Sequence, residues 1–318
     1  MKKDITGHTR LICLFGDPVA HSISPAMHNL SFETLGLDYV YLSFKTNIEQ
    51  FDNTVATLKQ IGARGFNCTM PCKRIAAERC DELSPAAKLM NSVNTVVIEN
   101  DKLIGHNTDG VGYMRSVIDA GHDIIGKQMT LLGSGGASSA ILTQAALDGL
   151  ANINVFARKG NSWNVIEKQI DQLGAETACK VTLNELTDET ALRKSIADSA
   201  ILVNGSSVGM APNEDGCLIP DTSFFHPELI VSDVIYNPRK TKLLQLAQSA
   251  GLSTFNGMYM LLYQGAEAFK LWTAQEMPVD LIKRELFAEP YGHRCDLLCK
   301  LHRSAKKGSV HRYRTFFA

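Results

Sequence analysis

The sequence predicts an α/β fold in two domains. With 318 residues, the chain has room for two domains of ~100–200 residues each. Short β-branched or aromatic runs alternate with stretches of helical apolar spacing along most of its length, the order that gives mostly parallel sheets. After Asp109 the alternation restarts with a glycine-rich strand-to-helix turn, which places a second sheet there.

The elements follow in order. LICLFG (11–16) is an apolar run closed by glycine and predicts a buried strand, and Ser24-Pro25 opens a helix to Leu35 with proline just inside its start. YVYLSF (39–44) is a strand, FDNTVATLKQI (51–61) a helix and GFNCTM (65–70) a third strand. SVNTVVIEN, DKLIG and HNTDGVG predict a strand, a turn, a strand and a loop, with Lys73 and Asp109 at strand ends. In the second half, residues 129–150 form a strand, a glycine turn and an Ala-rich helix, and INVFARK (153–159) is the next strand. AILVNGSS (200–207) and LIVSDVIYNP (229–238) supply two more strands, and 257–275 and 277–287 two helices.

Composition narrows the function classes. A hydrophobic share of 45% with 20% charged residues is that of an ordinary globular protein, and a net charge of −1 gives no general attraction to nucleic acid or an anionic membrane. The N-terminal lysines precede no apolar segment, so no export signal is expected, and the uncharged stretch Gln128–Leu147 is broken by glycines, so no membrane span is expected either. Eight scattered cysteines fit free thiols in a reducing cytoplasm. The last 31 residues (288–318) carry seven lysines and arginines against two acidic residues, and a disordered basic tail is expected there.

Gly133-Ser134-Gly135-Gly136-Ala137 is similar to a dinucleotide fingerprint, in which glycines allow a tight turn and a helix N-terminus faces a pyrophosphate. At the end of the following strand, where an NAD site would place a carboxylate on the ribose, stand Ala157, Arg158 and Lys159, followed by Gly160 and Asn161. Two cations and no acid in that segment favour a 2′-phosphate, and so NADP. FNCTMPCKR (66–74) is ambiguous alone: Cys68 and Cys72 suggest metal or redox chemistry, Lys73 acid/base chemistry. A chelating pair across Pro71 is poor geometry, so no metal is expected. Hydride transfer at an alcohol needs a proton acceptor, and Lys73 with Asp109 is the pair that stands out.

HSISP (21–25), NCTMPCK (67–73), VNT (93–95), NTDGVG (107–112), GSGGA (133–137), SVGM (207–210), YNP (236–238) and GMYMLLYQGA (257–266) occur in that order. Together they resemble the shikimate dehydrogenase family, including its quinate/shikimate branch, from about Leu11 to Phe287. The resemblance implies a catalytic Lys73 partnered by Asp109. It implies Ser22 and Ser24 for the substrate carboxylate, and Thr69, Asn94, Tyr236 and Gln264 for its hydroxyls. For the cofactor it implies the 133–137 loop, Arg158, Lys159 and Gly257, the last near the nicotinamide. It further implies a substrate domain over 1–112 completed by helices 257–287, and a Rossmann-like NADP-binding domain over 113–256. The expected partner is a small molecule, shikimate or 3-dehydroshikimate and by extension quinate; NAD is the alternative cofactor, and a homodimer the assembly admitted. Two departures are Ala157, where the family usually has asparagine, and Tyr259, where it has glycine. The rival from another class is a dinucleotide-binding regulator without turnover, against which Lys73 and Asp109 both argue.

Overall fold

A computed structural model describes residues 4–288. The first sheet is built from β1 (Arg10–Gly16), β2 (Tyr39–Lys45), β3 (Gly65–Cys68), β4 (Glu82–Leu83), β5 (Thr95–Glu99) and β6 (Lys102–His106). Its helices are α1 (Ser24–Leu35), α2 (Ile48–Gln60), α3 (Lys73–Arg79), α4 (Pro85–Met90) and α5 (Asp109–Asp119). Local chemistry accounts for the helix ends. Pro25 sits in the first turn of α1, where no donor is missed, and Gly36 closes it in the left-handed region. Helix α2 starts before its apolar period does because Asn47 and Gln50 form a reciprocal capping box.

The strand order is β2-β1-β3-β5-β6-β4, with β3–β5 and β5–β6 antiparallel and the remaining pairs parallel. The antiparallel part follows from the two-residue turn Asn100-Asp101, both at positive φ, which joins β5 to β6 as a tight hairpin. Three expectations are corrected. The strand expected over 65–70 stops at Cys68; Lys73 opens α3 instead of closing a strand; and Asp109 is the first residue of α5, not part of a loop.

The second sheet comprises β7 (Gln128–Leu132), β8 (Asn152–Ala157), β9 (Lys180–Glu185), β10 (Ile201–Asn204), β11 (Ile230–Asp233) and β12 (Ser253–Phe255). Between them run α6 (Gly136–Leu147), α7 (Asn161–Glu176), α8 (Glu189–Ala197) and α9 (Lys242–Ser249). All pairs are parallel, in the order β12-β11-β10-β7-β8-β9. The order reverses between β7 and β10, and at such a switch point ligands bind beyond the carboxyl ends of the strands. This is the Rossmann-like arrangement that the fingerprint implied.

Helix α10 (Met258–Thr273) returns to the first sheet. Trp272 Nε1 donates to Val96 O at 2.9 Å, and Arg64 Nε to Trp272 O at 2.8 Å. A Cβ on Gly65 would lie 2.5 Å from Trp272 Nε1, so glycine there is what lets the indole seat. The helix expected over 277–287 is instead α11 (Val279–Ile282) and a π turn (Lys283–Phe287), in a separate compact unit that begins at Pro278. The basic segment expected to be disordered lies, from residue 289 on, outside the described residues. Among the described residues, no helix is long and apolar enough to cross a membrane.

His28 on α1 is fully buried and stacks on Tyr41 with ring centroids 4.5 Å apart, beside Phe32, Phe269 and Trp272. Burial pushes its pKa down to about 3, because neither ring nitrogen finds a partner among the described residues and a charge would be unsolvated. Below about pH 6.5 the unfolded chain therefore binds a proton that the folded chain refuses, and stability is lost as pH falls from about 6.5 toward 3. Between pH 7 and pH 5 this site should cost about 2 kcal/mol. Equilibrium urea unfolding at the two pH values should show a correspondingly smaller loss for His28→Phe; an unchanged loss would refute the assignment.

Candidate active site

Lys73 and Asp109 meet because α3 and α5 begin beyond the ends of β3 and β6, the two strands that flank β5 in the first sheet. Lys73 Nζ lies 2.6 Å from Asp109 Oδ2, with the two side chains 31% and 18% exposed, enough for solvent or a ligand to reach them. A carboxylate in the first turn of α5 suits the positive helix end, whereas a lysine at the start of α3 does not. The ion pair, not helix preference, explains the lysine.

Asn94 fixes this pair. Its Nδ2 donates to Asp109 Oδ1 at 2.8 Å and to Thr108 Oγ1 at 3.0 Å, and its Oδ1 accepts from the Thr108 amide at 2.9 Å. Its backbone carbonyl accepts from the Cys68 amide and from Asn67 Nδ2. Asn67 in turn accepts from Tyr41 Oη at 2.6 Å, and Ser24 hydrogen-bonds the same phenol, whose pKa burial pushes up. A continuous polar chain thus runs from buried Tyr41 through Asn67 and Asn94 to Asp109 and Lys73. Asn67, Thr95 and Thr108 were not singled out in the sequence, although polar residues interrupting apolar strand ends are the visible trace of such a chain.

The remaining substrate candidates are placed as follows. Ser22 is half-buried, and its Oγ accepts from the Ser24 amide at 3.2 Å, so the two serines share one turn at the start of α1. Thr69 is held through its amide to Phe15 O at 2.8 Å. Gly16 makes room for it, since a Cβ there would lie 2.3 Å from Thr69 Cγ2. Gln264 is half-buried on α10, with Nε2 donating to Leu261 O at 2.9 Å. Tyr236 is 49% exposed and lines a separate feature, the cavity of the second sheet.

That cavity has a volume of about 670 Å³ and is lined by the whole glycine loop, Gly133 to Ala137, with Ala157 and Arg158 at the end of β8 and Val234 to Asn237 just beyond β11. Gly133 has φ +108°, a conformation that favours glycine, and a Cβ there would press on Ser206 at 3.1 Å. At Gly135 and Gly136 a Cβ would meet nothing within 4 Å; the space in front of them is open. Behind the wall lies Asp233, buried, accepting from Asn204 Nδ2, Thr241 Oγ1 and the Ile235 amide. Burial pushes its carboxyl up, and these donors partly offset that. Asn204 also donates to Val208 O, so Asp233 ties together two loops that shape the cavity.

Three residues lie outside the lining of this cavity. Gly257 does not line the cavity but packs beneath it: its Cβ would lie 1.8 Å from Val234 O. Tyr259 is half-buried on α10 and likewise does not line the cavity. Lys159 turns away from Arg158, forming an ion pair with Glu185 and standing 5.9 Å from the centre of the Trp163 ring. Cys68 and Cys72 are buried in the core of the first sheet, and burial pushes both thiols up, which suppresses the reactive thiolate.

Comparison with known proteins gives a consistent result. Residues 14–96 match the family described as shikimate dehydrogenase substrate binding domain, and residues 257–287 match the shikimate 5'-dehydrogenase C-terminal domain. The chain is 50% identical over 283 residues to the shikimate dehydrogenase (NADP(+)) of Listeria monocytogenes, covering 89% of this chain and 97% of that protein. It is 44% identical over 290 residues to the protein of the same name from Streptococcus uberis, covering 90% and 98%. The crystal structure of shikimate 5-dehydrogenase from Listeria monocytogenes, in complex with shikimate and NAD, superposes with a TM-score of 0.88 at 49% identity, covering 90% of this chain and 99% of that one.

Helix α5 carries Asp109 and packs by its glycines. A Cβ on Gly110 would lie 2.4 Å from Ala140 O of α6, and one on Gly112 would lie 2.6 Å from the Gln264 amide nitrogen of α10. Gly110→Ala should therefore cost about 1–3 kcal/mol by overpacking. Gly136→Ala has open space and should cost nothing. Equilibrium urea unfolding distinguishes the two; equal stabilities would show that the helix contact is not tight.

Proposed function

The chain belongs to the shikimate dehydrogenase family, and we propose on that premise that it catalyses the reversible, NADP-dependent reduction of 3-dehydroshikimate to shikimate. The observation that carries the reading is the 2.6 Å contact of Lys73 Nζ with Asp109 Oδ2, oriented by Asn94. A dinucleotide sensor without turnover needs no such pair. The residues around the cavity fit the cofactor: a glycine turn with open space before it, the N-terminus of a 12-residue helix for the pyrophosphate, and Arg158 for a 2′-phosphate. When bound, the dinucleotide supplies the hydride that converts the ring ketone to an alcohol.

This chain's residues handle the proton. In the reducing direction, Lys73 gives a proton from Nζ to the former ketone oxygen; in the oxidising direction, Nζ accepts the hydroxyl proton. Asp109 Oδ2 holds Nζ in place and balances its charge, while Asn94 and Thr108 keep the carboxylate from turning. Ser22 and Ser24 bind the substrate carboxylate at the start of α1. Thr69, Asn94, Tyr236 and Gln264 orient its hydroxyls, so a ring acid is held at several points and one carbon faces the hydride.

In this reading, residues 1–112 with α10 and the segment to 287 form the substrate domain, and 113–256 the cofactor domain. Every assigned residue comes from one chain, so a homodimer would pair two complete sites, and a cytoplasmic setting suits the free thiols. The rival within the family oxidises quinate or uses NAD. A spectrophotometric assay crossing shikimate and quinate with both cofactors separates the two.

Two outcomes test the assignment. Lys73→Ala should lower kcat by ~10²–10⁴ while calorimetric shikimate binding persists through Ser22, Ser24 and Asn94; near wild-type turnover would remove Lys73 from its role. NADP should be preferred over NAD in kcat/KM by at least about tenfold, since one charge-assisted hydrogen bond contributes roughly 1.5–3 kcal/mol. Arg158→Ala should selectively reduce that preference, and steady-state kinetics showing equal use of NAD by the wild type would favour the rival.

A further inference from the structure

The segment after β8 contains no acid, yet the fold brings one to it. Glu185 ends β9 and is the direct cross-strand neighbour of Ala157, so its carboxylate reaches the turn that holds Arg158 and Lys159. Leu186, the next residue, donates its amide to Ala157 O at 2.9 Å and lines the cofactor cavity together with Arg158. Glu185 itself lines an adjoining cavity of about 500 Å³ with Lys159 and Trp163. The two cations are thereby divided. Arg158 faces the cofactor cavity with no ion-pair partner among the described residues, while Lys159 is held by Glu185 over the Trp163 ring.

We propose that Glu185 determines how strongly the site prefers a 2′-phosphorylated dinucleotide, by competing with the phosphate for Lys159. This rests on the dehydrogenase reading and identifies a specificity-determining residue 26 positions after the lysine it controls. A phosphate bound by Arg158 gains Lys159 as a second cation only by drawing it from Glu185. An unphosphorylated ribose makes no such demand. The pair therefore leaves NAD binding unaffected and weakens NADP binding, which moderates a preference that two unopposed cations would make stronger. The effect is electrostatic and solvent-exposed, so it should fade as salt rises.

Glu185→Gln keeps the shape and removes the charge, and as an exposed pair it should leave folding intact. The substitution should raise kcat/KM for NADP by roughly three- to tenfold, which is ~0.7–1.4 kcal/mol at 1.4 kcal/mol per decade, and change the NAD value by less than about twofold. In a Lys159→Met background, the same substitution should change NADP efficiency by less than about twofold, because the cation competed for is gone. An unchanged NADP-to-NAD ratio in Glu185→Gln, or the full gain persisting without Lys159, overturns the proposal. Calorimetric dissociation constants for NADP and NAD are read in parallel. If shikimate is not turned over with either cofactor the dehydrogenase reading fails, and the two dissociation constants still decide the role of Glu185.

Discussion

The geometry of the site depends on one buried side chain, Asn94. Its amide and backbone groups are bonded to Asp109, Thr108, Cys68, Asn67 and His106, and it is 3% exposed. A buried amide is tolerable only if its donors and acceptors are satisfied, and once they are, it has one orientation. An aspartate here would put like charge beside Asp109, and a leucine would leave the Thr108 amide without its partner and the Asp109 carboxylate with Lys73 alone. The angle from which Asp109 meets Lys73 is therefore set by a residue that spends most of its bonding on protein. Lys73 is tied to the same place, since its carbonyl accepts from the Val93 amide at 2.9 Å, one residue before Asn94.

The Lys73–Asp109 pair is also linked to the second sheet through α5. Asp109 begins the helix, Gly110 presses it on α6 and Gly112 on α10, while Tyr113 reaches Ser232 of β11 at 2.8 Å. Helix α6 is the one that opens at the glycine loop, and α10 carries Gln264. Close backbone packing leaves no soft side chain to absorb a shift, so Asp109 at the start of α5 is held rigidly against α6 and α10. Rigidity of this kind is what a hydride transfer requires, because donor and acceptor carbons must be held near contact.

Much of this was legible in the sequence because it is local. The glycine turn, the strand runs and α1 with its Ser-Pro start are set by residues within a few positions of one another. What escaped depends on distant neighbours. Asp109 was expected in a loop because NTDGVG has two glycines, but both serve helix packing against partners that no window of sequence contains. Glu185 was invisible for the same reason: the acid-free segment after Arg158 acquires its acid from the next strand. Gly257 packs on the Val234 backbone, a contact that no window of sequence contains.

The cysteines flanking Thr69 show how period-two geometry settles an ambiguity that composition cannot. Along β3, successive side chains point to opposite faces. Phe66 and Cys68 enter the apolar core with Phe15, Phe51 and Val96, and Cys72 joins them after the turn. Asn67 faces the buried polar chain, and Thr69 follows in the same phase. Among the described residues, no group of three metal-ligating side chains forms. The alternation thus separates β3 into a face that builds the core and a face that carries Asn67.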